Sequence, residues 1–210
     1  SKGYDHKKEA ITARGVWACV ENHLAESGVD SEKDGISLVG IGDMSGDVFG
    51  NGLLMSRRFK LKAAFDHRNI FIDPDPDPES SFQERKRMFG LPQSSWEDYN
   101  RQLISAGGGV FPRIAKSIDL SLQVRALLAC EEATLDGSAV IRKLLSMPLD
   151  LIWNGGIGTF IKSTHETHAD VGDRTNDNIR VDETEVNARI IAEGGNLGLT
   201  QLARIEYSLN

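Results

Sequence analysis

Gly40, Gly42 and Gly46, followed by Asp66 24 residues after the second of them, are the residues of this 210-residue chain best spaced to hold a phosphorylated ligand. They lie in Ile36-Ser-Leu-Val-Gly40-Ile-Gly42-Asp-Met-Ser-Gly46-Asp-Val-Phe49 and Leu61-Lys-Ala-Ala-Phe-Asp66. An apolar run too short for a helix enters a glycine turn, a helix-length stretch follows, and a second apolar run ends in an acid. That is the order of a dinucleotide-binding βαβ unit. Gly40 allows the tight turn, Gly42 keeps a Cβ out of the path of a pyrophosphate, and Gly46 lets the helix start close to the strand. The helix N-terminus then offers N–H groups and partial positive charge. Asp66 falls where a carboxylate accepts hydrogen bonds from a ribose. The spacing is G-x-G-x-x-x-G, with Ser45 where the third glycine usually stands. Asp43 and Asp47 suit the helix dipole but oppose an anionic ligand. No G-K-[ST] ending is present, which excludes a P-loop.

Two further clusters share the first one's position. Asn154-Gly-Gly-Ile-Gly158 follows a strand predicted at Asp150–Trp153, and Glu193-Gly-Gly-Asn-Leu-Gly198 follows one at Ala188–Ala192. One glycine cluster at a strand end is an ordinary turn. Three at carboxyl ends that should share a rim point to a ligand, because open α/β sheets bind ligands there. The other elements are a helix over 11–27 stopped by Gly28, strands at 36–41 and 61–66, and a short extended piece at 70–72. Ser81-x-x-Glu84 reads as a capping box opening a helix to Phe89, and Ser95-x-x-Asp98 as a helical turn. Ser121 and Asp136 cap helices over 122–130 and 137–147, and a last helix runs from Thr200. Asp73-Pro-Asp-Pro-Asp-Pro78 reads as an extended, solvated loop and Gly107–Gly109 as a flexible one. A long polar segment reaches about Glu185. Strands alternate with helices throughout, so the class is α/β: a Rossmann-type three-layer fold with a mainly parallel twisted sheet.

Composition narrows the partners. A net charge of -7 argues against nucleic acid, and no 18-residue apolar run suggests a membrane span. Cys19 and Cys130 form no disulfide framework and read as buried, inert thiols, which with the absence of a signal peptide suggests a cytoplasmic protein. His165-x-x-His168 lies among loop formers with no third ligand in view, so no metal site is expected. The abrupt start at Ser1-Lys-Gly3 and the stop at Asn210 suggest a piece of something longer.

Several motifs are similar to one family. Gly3-Tyr-Asp-His-Lys7, Ile11-Thr-Ala-Arg-Gly15, Gly40 to Gly52 and Ala64-Phe-Asp-His67 resemble the large bacterial NAD-specific glutamate dehydrogenases. So do Asp73-Pro-Asp-Pro-Asp77, Leu103 to Gly109, Trp153-Asn-Gly-Gly-Ile-Gly-Thr159, His168 to Arg174 and Glu193 to Gln201. The resemblance runs end to end. It implies one NAD-binding domain over residues 1–210, serving conversion of L-glutamate, NAD and water to 2-oxoglutarate, ammonia and NADH. It places Gly40, Gly42, Asp43, Met44, Ser45 and Gly46 against the cofactor. It also puts Thr12 at the nicotinamide carboxamide, Asp66 on the NAD ribose, Asn154 and Gly155 in a turn against the cofactor, and Asn196 near the nicotinamide ribose. Asp43 stands where smaller relatives have asparagine, and Arg68 raises the question of NADP tolerance.

The family's catalytic lysine and aspartate find no match, and Lys7, Lys8 and Lys162 read as solvated surface lysines. The substrate domain and the closing C-terminal segment are likewise unmatched. The fragment is therefore expected to bind cofactor without turning over glutamate, with the full-length protein a homo-oligomer. On this reading Gly42→Val blocks cofactor while sparing the fold, and Asp66→Ser lowers the preference for NADH over NADPH. Two other readings share parts of the pattern. S-adenosylmethionine methyltransferases use a glycine turn and a second-strand acid but lack the 193–198 cluster and the helix bearing Thr12. A non-catalytic nucleotide-sensing module would keep the fold alone.

Overall fold

A computed structural model of the chain describes residues 6–195 and 198–209. Its strands are β1 Ile36–Ile41, β2 Phe59–Phe65, β3 Asn69–Ile72, β4 Gly109–Pro112, β5 Ile118–Asp119, β6 Thr134–Leu135, β7 Leu151–Asn154, β8 Ile161–Lys162, β9 Val181–Asp182 and β10 Ile190–Glu193. The helices are α1 His6–Glu9, α2 Ile11–Glu26, α3 Asp47–Gly52, α4 Pro78–Phe89, α5 Leu122–Leu128, α6 Gly137–Leu145, α7 His168–Val171 and α8 Gln201–Leu209. Six strands form the central sheet in the order β10-β7-β1-β2-β3-β4. The pairs β10–β7, β7–β1 and β1–β2 are parallel, while β3 runs antiparallel to both its neighbours. The sheet is thus mainly parallel with one reversed strand.

Alternation along the strands builds two cores. Leu38, Leu151 and Trp153 face one side with Val20 and Leu24 of α2, Phe49 of α3 and Met88 of α4. Val39, Ile41 and Ile152 face the other with Val124 of α5, Ile141 of α6 and Ala203 of α8. Helices on both faces make three layers. A register slip interrupts β2: Leu38 pairs with Leu61 but Val39 with Ala63, leaving Lys62 over. One extra residue reverses every later side chain. Phe59 and Leu61 therefore join the α2 side, and Ala63 and Phe65 the opposite side. The slip aims Phe65 at the functional rim.

Local chemistry departs from the sequence expectations in four places. α4 starts at Pro78 with Asp77 as its cap, the carboxylate accepting from the Ser80 amide at 2.9 Å. Ser81 is instead a buried mid-helix residue that accepts from Arg85 Nη1. Asp73 is fully buried, its Oδ1 accepting from the Ser105 amide at 3.1 Å, so the proline-rich run is anchored rather than solvated throughout. Gly109 opens the edge strand β4, where Pro112 is tolerated because an edge needs no outer ladder. Cys19 is exposed and Cys130 only half-buried, against the expectation of two buried thiols. Among the described residues, no helix is long and apolar enough to cross a membrane.

Candidate functional site

The parallel strands β2, β1, β7 and β10 all end on one rim, where their tips carry Asp66, Gly42, Asn154–Gly155 and Glu193–Gly194. A crevice of about 380 Å³ opens there, lined by Gly42, Asp43, Gly46, Asp66 and Gly155 among others. β1 has β2 on one side and β7 on the other, so the crevice sits where the strand order reverses. A shallower hollow of about 600 Å³ involves Trp17, Met55 and Arg58 beside the amino end of β2, the wrong end for ligands in such a sheet.

Phe49 accounts for three of the rim glycines. It is fully buried in the first turn of α3. A Cβ on Gly40 would come within 2.7 Å of its ring, one on Gly42 within 2.8 Å, and one on Gly155 within 2.7 Å of its backbone. A Cβ on Gly194 would collide with the adjacent Val48. Gly42 also has φ +137°, a left-handed conformation that favours glycine. Its bareness thus serves the turn and the packing beneath it. A Cβ on Gly46 would meet only ordinary contacts, at 3.5 Å from the Asp43 carbonyl. The close approach assigned to Gly46 belongs instead to Gly50, against Met44 and Phe89, and Gly52, against Trp153.

Hydrogen bonds harden the rim. The Gly42 amide donates to the Phe65 carbonyl at 2.8 Å and the Gly46 amide to the Asp43 carbonyl at 3.2 Å. Asp43 Oδ1 accepts from the Ser45 amide at 2.8 Å, and Trp96 Nε1 donates to the Gly42 carbonyl at 2.9 Å. The amides at 42, 45 and 46 are therefore already committed, the first to β2 and the other two within the turn. α3 has no side-chain cap, which leaves the first-turn amides of residues 47–49 as the donors a phosphate could use. Asp66 is 7% exposed, and its Oδ1 accepts from the amides of Arg68 and Asn69, each at 2.7 Å. That turn fixes the carboxylate's orientation. Asp43, Asp66 and His67 hold ligand atoms within 4.8 Å of one another, close enough for a cation, a grouping the spacing of the histidines did not reveal.

The other expected residues are placed differently. Gly40 lies within β1, and Met44 is fully buried in the core beneath the turn, so its side chain does not face the crevice. Ser45 Oγ donates to the Ser94 carbonyl at 2.9 Å and lines an adjoining hollow of about 440 Å³ rather than the crevice. Asn154 is buried as a brace, its Oδ1 accepting from the Gly156 amide at 3.2 Å. Thr12 is exposed on α2 and is absent from the crevice lining. Asn196 lies outside the described residues. Lys162 is buried and paired with Asp182, and Lys7 Nζ sits 4.3 Å from the centre of the Phe89 ring, so neither is the solvated lysine expected.

Sequence reasoning missed Phe65, His67, Arg113, Ile157 and Phe160, which also line the crevice. Ile157 is 89% exposed. The segment after Thr167 braces this side. Asp173 Oδ2 accepts from the Thr159 amide at 2.9 Å and from Asn176 Nδ2 at 2.7 Å. Arg180, 3% exposed, donates to the Thr159 carbonyl at 2.9 Å and to Asp177 at 2.7 Å. Burial pushes the Asp173 carboxyl up, but these hydrogen bonds and Arg180 outweigh it and hold the group below the usual carboxylate range. Burial raises Glu193 at the β10 tip despite its pairing with Arg204. Burial lowers Arg113, opposed by the carboxylates of Asp66 and Asp173.

Comparison with known proteins agrees along the whole length. Residues 1–210 match the family described as bacterial NAD-glutamate dehydrogenase, catalytic domain. The chain is 57% identical over 210 residues to the NAD-specific glutamate dehydrogenase of Pseudomonas aeruginosa. It is 54% identical over 206 residues to that of Halomonas elongata and 55% over 216 to that of Mycobacterium tuberculosis. These alignments cover 98–100% of the chain, which spans only 13% of the length of each relative. The crystal structure of Plasmodium falciparum glutamate dehydrogenase matches 95% of the chain and 33% of its own, with TM-score 0.52 at 14% identity, a likeness of fold alone. On the family match and the three relatives together, the chain belongs to the catalytic-domain family of bacterial NAD-glutamate dehydrogenases.

Proposed function

We propose that this chain is the NAD-binding part of an NAD-dependent glutamate dehydrogenase that converts L-glutamate to 2-oxoglutarate and ammonia. The observation that carries the reading is the meeting of three parallel strand tips, those of β2, β1 and β7, on one crevice, with a fixed acid at the end of β2. The donor set suits a dinucleotide. Asp66 would accept from a ribose, the first-turn amides of α3 would face the diphosphate, and the apolar Phe65, Ile157 and Phe160 would take a flat ring. NAD, when bound, supplies the hydride acceptor. The chain's own residues bind it, orient it and shield one side of it from water.

The crevice is lined by no lysine among the described residues. Hydride transfer needs the two reacting carbons held at near-attack distance, and the opposing wall would come from the remainder of a protein as long as the relatives. The isolated chain should therefore bind NADH and leave glutamate unreacted. The full protein is proposed to be a homo-oligomer working in the cytoplasm, with no nucleic-acid or membrane partner.

Thermal shift tests the binding. NADH at 100 times its Kd should add about 2.7 kcal/mol. At roughly 2–4 °C per kcal/mol for a chain of this size, the melting temperature should rise about 5–11 °C. NADPH should raise it less and S-adenosylmethionine not at all. A response to S-adenosylmethionine alone would favour a methyltransferase; silence toward all three would remove the dinucleotide reading.

A further inference from the structure

Arg113 follows the edge strand β4, 47 residues beyond Asp66, yet its guanidinium lies at the tip of β2. Its amide donates to the Arg68 carbonyl at 2.7 Å, Nη1 to the Asp66 carbonyl at 3.0 Å, and Nη2 to Asn176 Oδ1 at 2.7 Å. These contacts fix the plane of the group from both sides. They use two of its five N–H donors, and the side chain lines the crevice beside Asp66 and His67. Guanidinium keeps its charge at neutral pH even when partly buried. Arg68, the nearest cation to Asp66 in sequence, instead donates Nε to His67 Nε2 at 3.0 Å, and lines the neighbouring hollow rather than the crevice.

An acid and an arginine side by side at the end of the second strand have opposite tastes. A carboxylate accepts from a ribose 2′-hydroxyl and repels a 2′-phosphate, whereas a fixed guanidinium pairs with that phosphate. Resting on the dinucleotide reading, we infer that Asp66 and Arg113 form an opposed pair that sets the choice between NAD and NADP, with Arg113 the latent partner for a 2′-phosphate. Preference for NAD is then the carboxylate prevailing over the arginine. It is not the absence of a phosphate-binding group.

The test uses Asp66→Asn, because an asparagine Oδ1 can still accept from the amides of Arg68 and Asn69 while the charge is lost. Dissociation constants for NADH and NADPH are measured for the chain, for Asp66→Asn, for Arg113→Gln and for the double variant, by nucleotide fluorescence at two salt concentrations. Asp66→Asn should shift the ratio toward NADPH at least tenfold, less so at high salt. Adding Arg113→Gln should return the ratio to within about threefold of the starting chain. A shift that survives Arg113→Gln overturns the inference. So does an equal loss of both nucleotides in Arg113→Gln with the shift intact, since that marks a mere brace between β4 and Asn176. If Arg113→Gln fails to fold, Arg113→Lys replaces it. It keeps the charge but loses the fork, so at least a threefold part of the shift should go, and a full shift overturns the idea. Failure of both nucleotides to bind the unaltered chain sinks the dinucleotide reading itself; binding with unmoved ratios sinks only this inference.

Discussion

Phe49→Ala is expected to lower the stability of the chain by about 3–5 kcal/mol, the usual cost of emptying a buried phenylalanine site. At roughly 2–4 °C per kcal/mol the melting temperature should fall about 6–20 °C. The size follows from what the ring touches. It lies under Gly40 and Gly42 of one strand tip, its backbone presses on Gly155 of another, and it meets Trp96 edge-on with ring centroids 5.9 Å apart. Trp96 in turn holds the Gly42 carbonyl. Glycines crowded around one rigid ring leave few ways for the cavity to collapse. Loss of the ring should therefore loosen the rim as well as lower the melting point, and hydrogen exchange at residues 40–46 and 154–158 should accelerate together. A melting point within 2 °C of the parent would mean that Phe49 is not the support of the rim.

The parts of this arrangement that could be read from the chain are the ones with local causes. Short apolar runs ending in glycine mark β1, β7 and β10, and Ser121 and Asp136 cap α5 and α6 as their chemistry demands. The extended piece at 70–72 was legible, but its antiparallel pairing with β4 was hidden. Asn69-Ile-Phe-Ile72 is buried on both faces and so shows no alternation, and Gly109-Val-Phe-Pro112 is bounded by residues that read as loop. The slip at Lys62 leaves no mark in composition, yet it decides which way Phe65 faces. Among the site residues, Asp66 was legible because a strand end and an acid coincide. Met44 sat inside the motif but belongs to the core, since a turn's sequence does not say which side chain points down. His67 follows β2 and Arg113 follows the edge strand β4, and only the strand order brings them to one crevice.

Gly42→Val and Gly46→Ala should part company, and the contrast separates folding from binding. The valine meets two penalties at once. Its backbone would be held at φ +137°, a conformation costing about 1–3 kcal/mol without glycine. Its Cβ would also start 2.8 Å from a ring that has no room to move, at an overpacking cost of roughly 1–3 kcal/mol. Together these make a loss of about 2–6 kcal/mol, so this variant cannot spare the fold as the motif alone suggested. Gly46 has φ -69° and ψ 142°, which any residue adopts, and its added methyl meets nothing closer than 3.5 Å. Gly46→Ala should therefore melt within about 2 °C of the parent. Because Gly46 lines the crevice, the same methyl should weaken NADH binding tenfold or more if the diphosphate lies where the proposed function puts it. Circular dichroism melts and NADH titrations of the two variants decide the matter. A Gly42→Val variant that melts within about 2 °C of the parent would show that the turn is softer than its packing implies, and a Gly46→Ala variant that binds NADH undiminished would move the phosphates away from the first turn of α3.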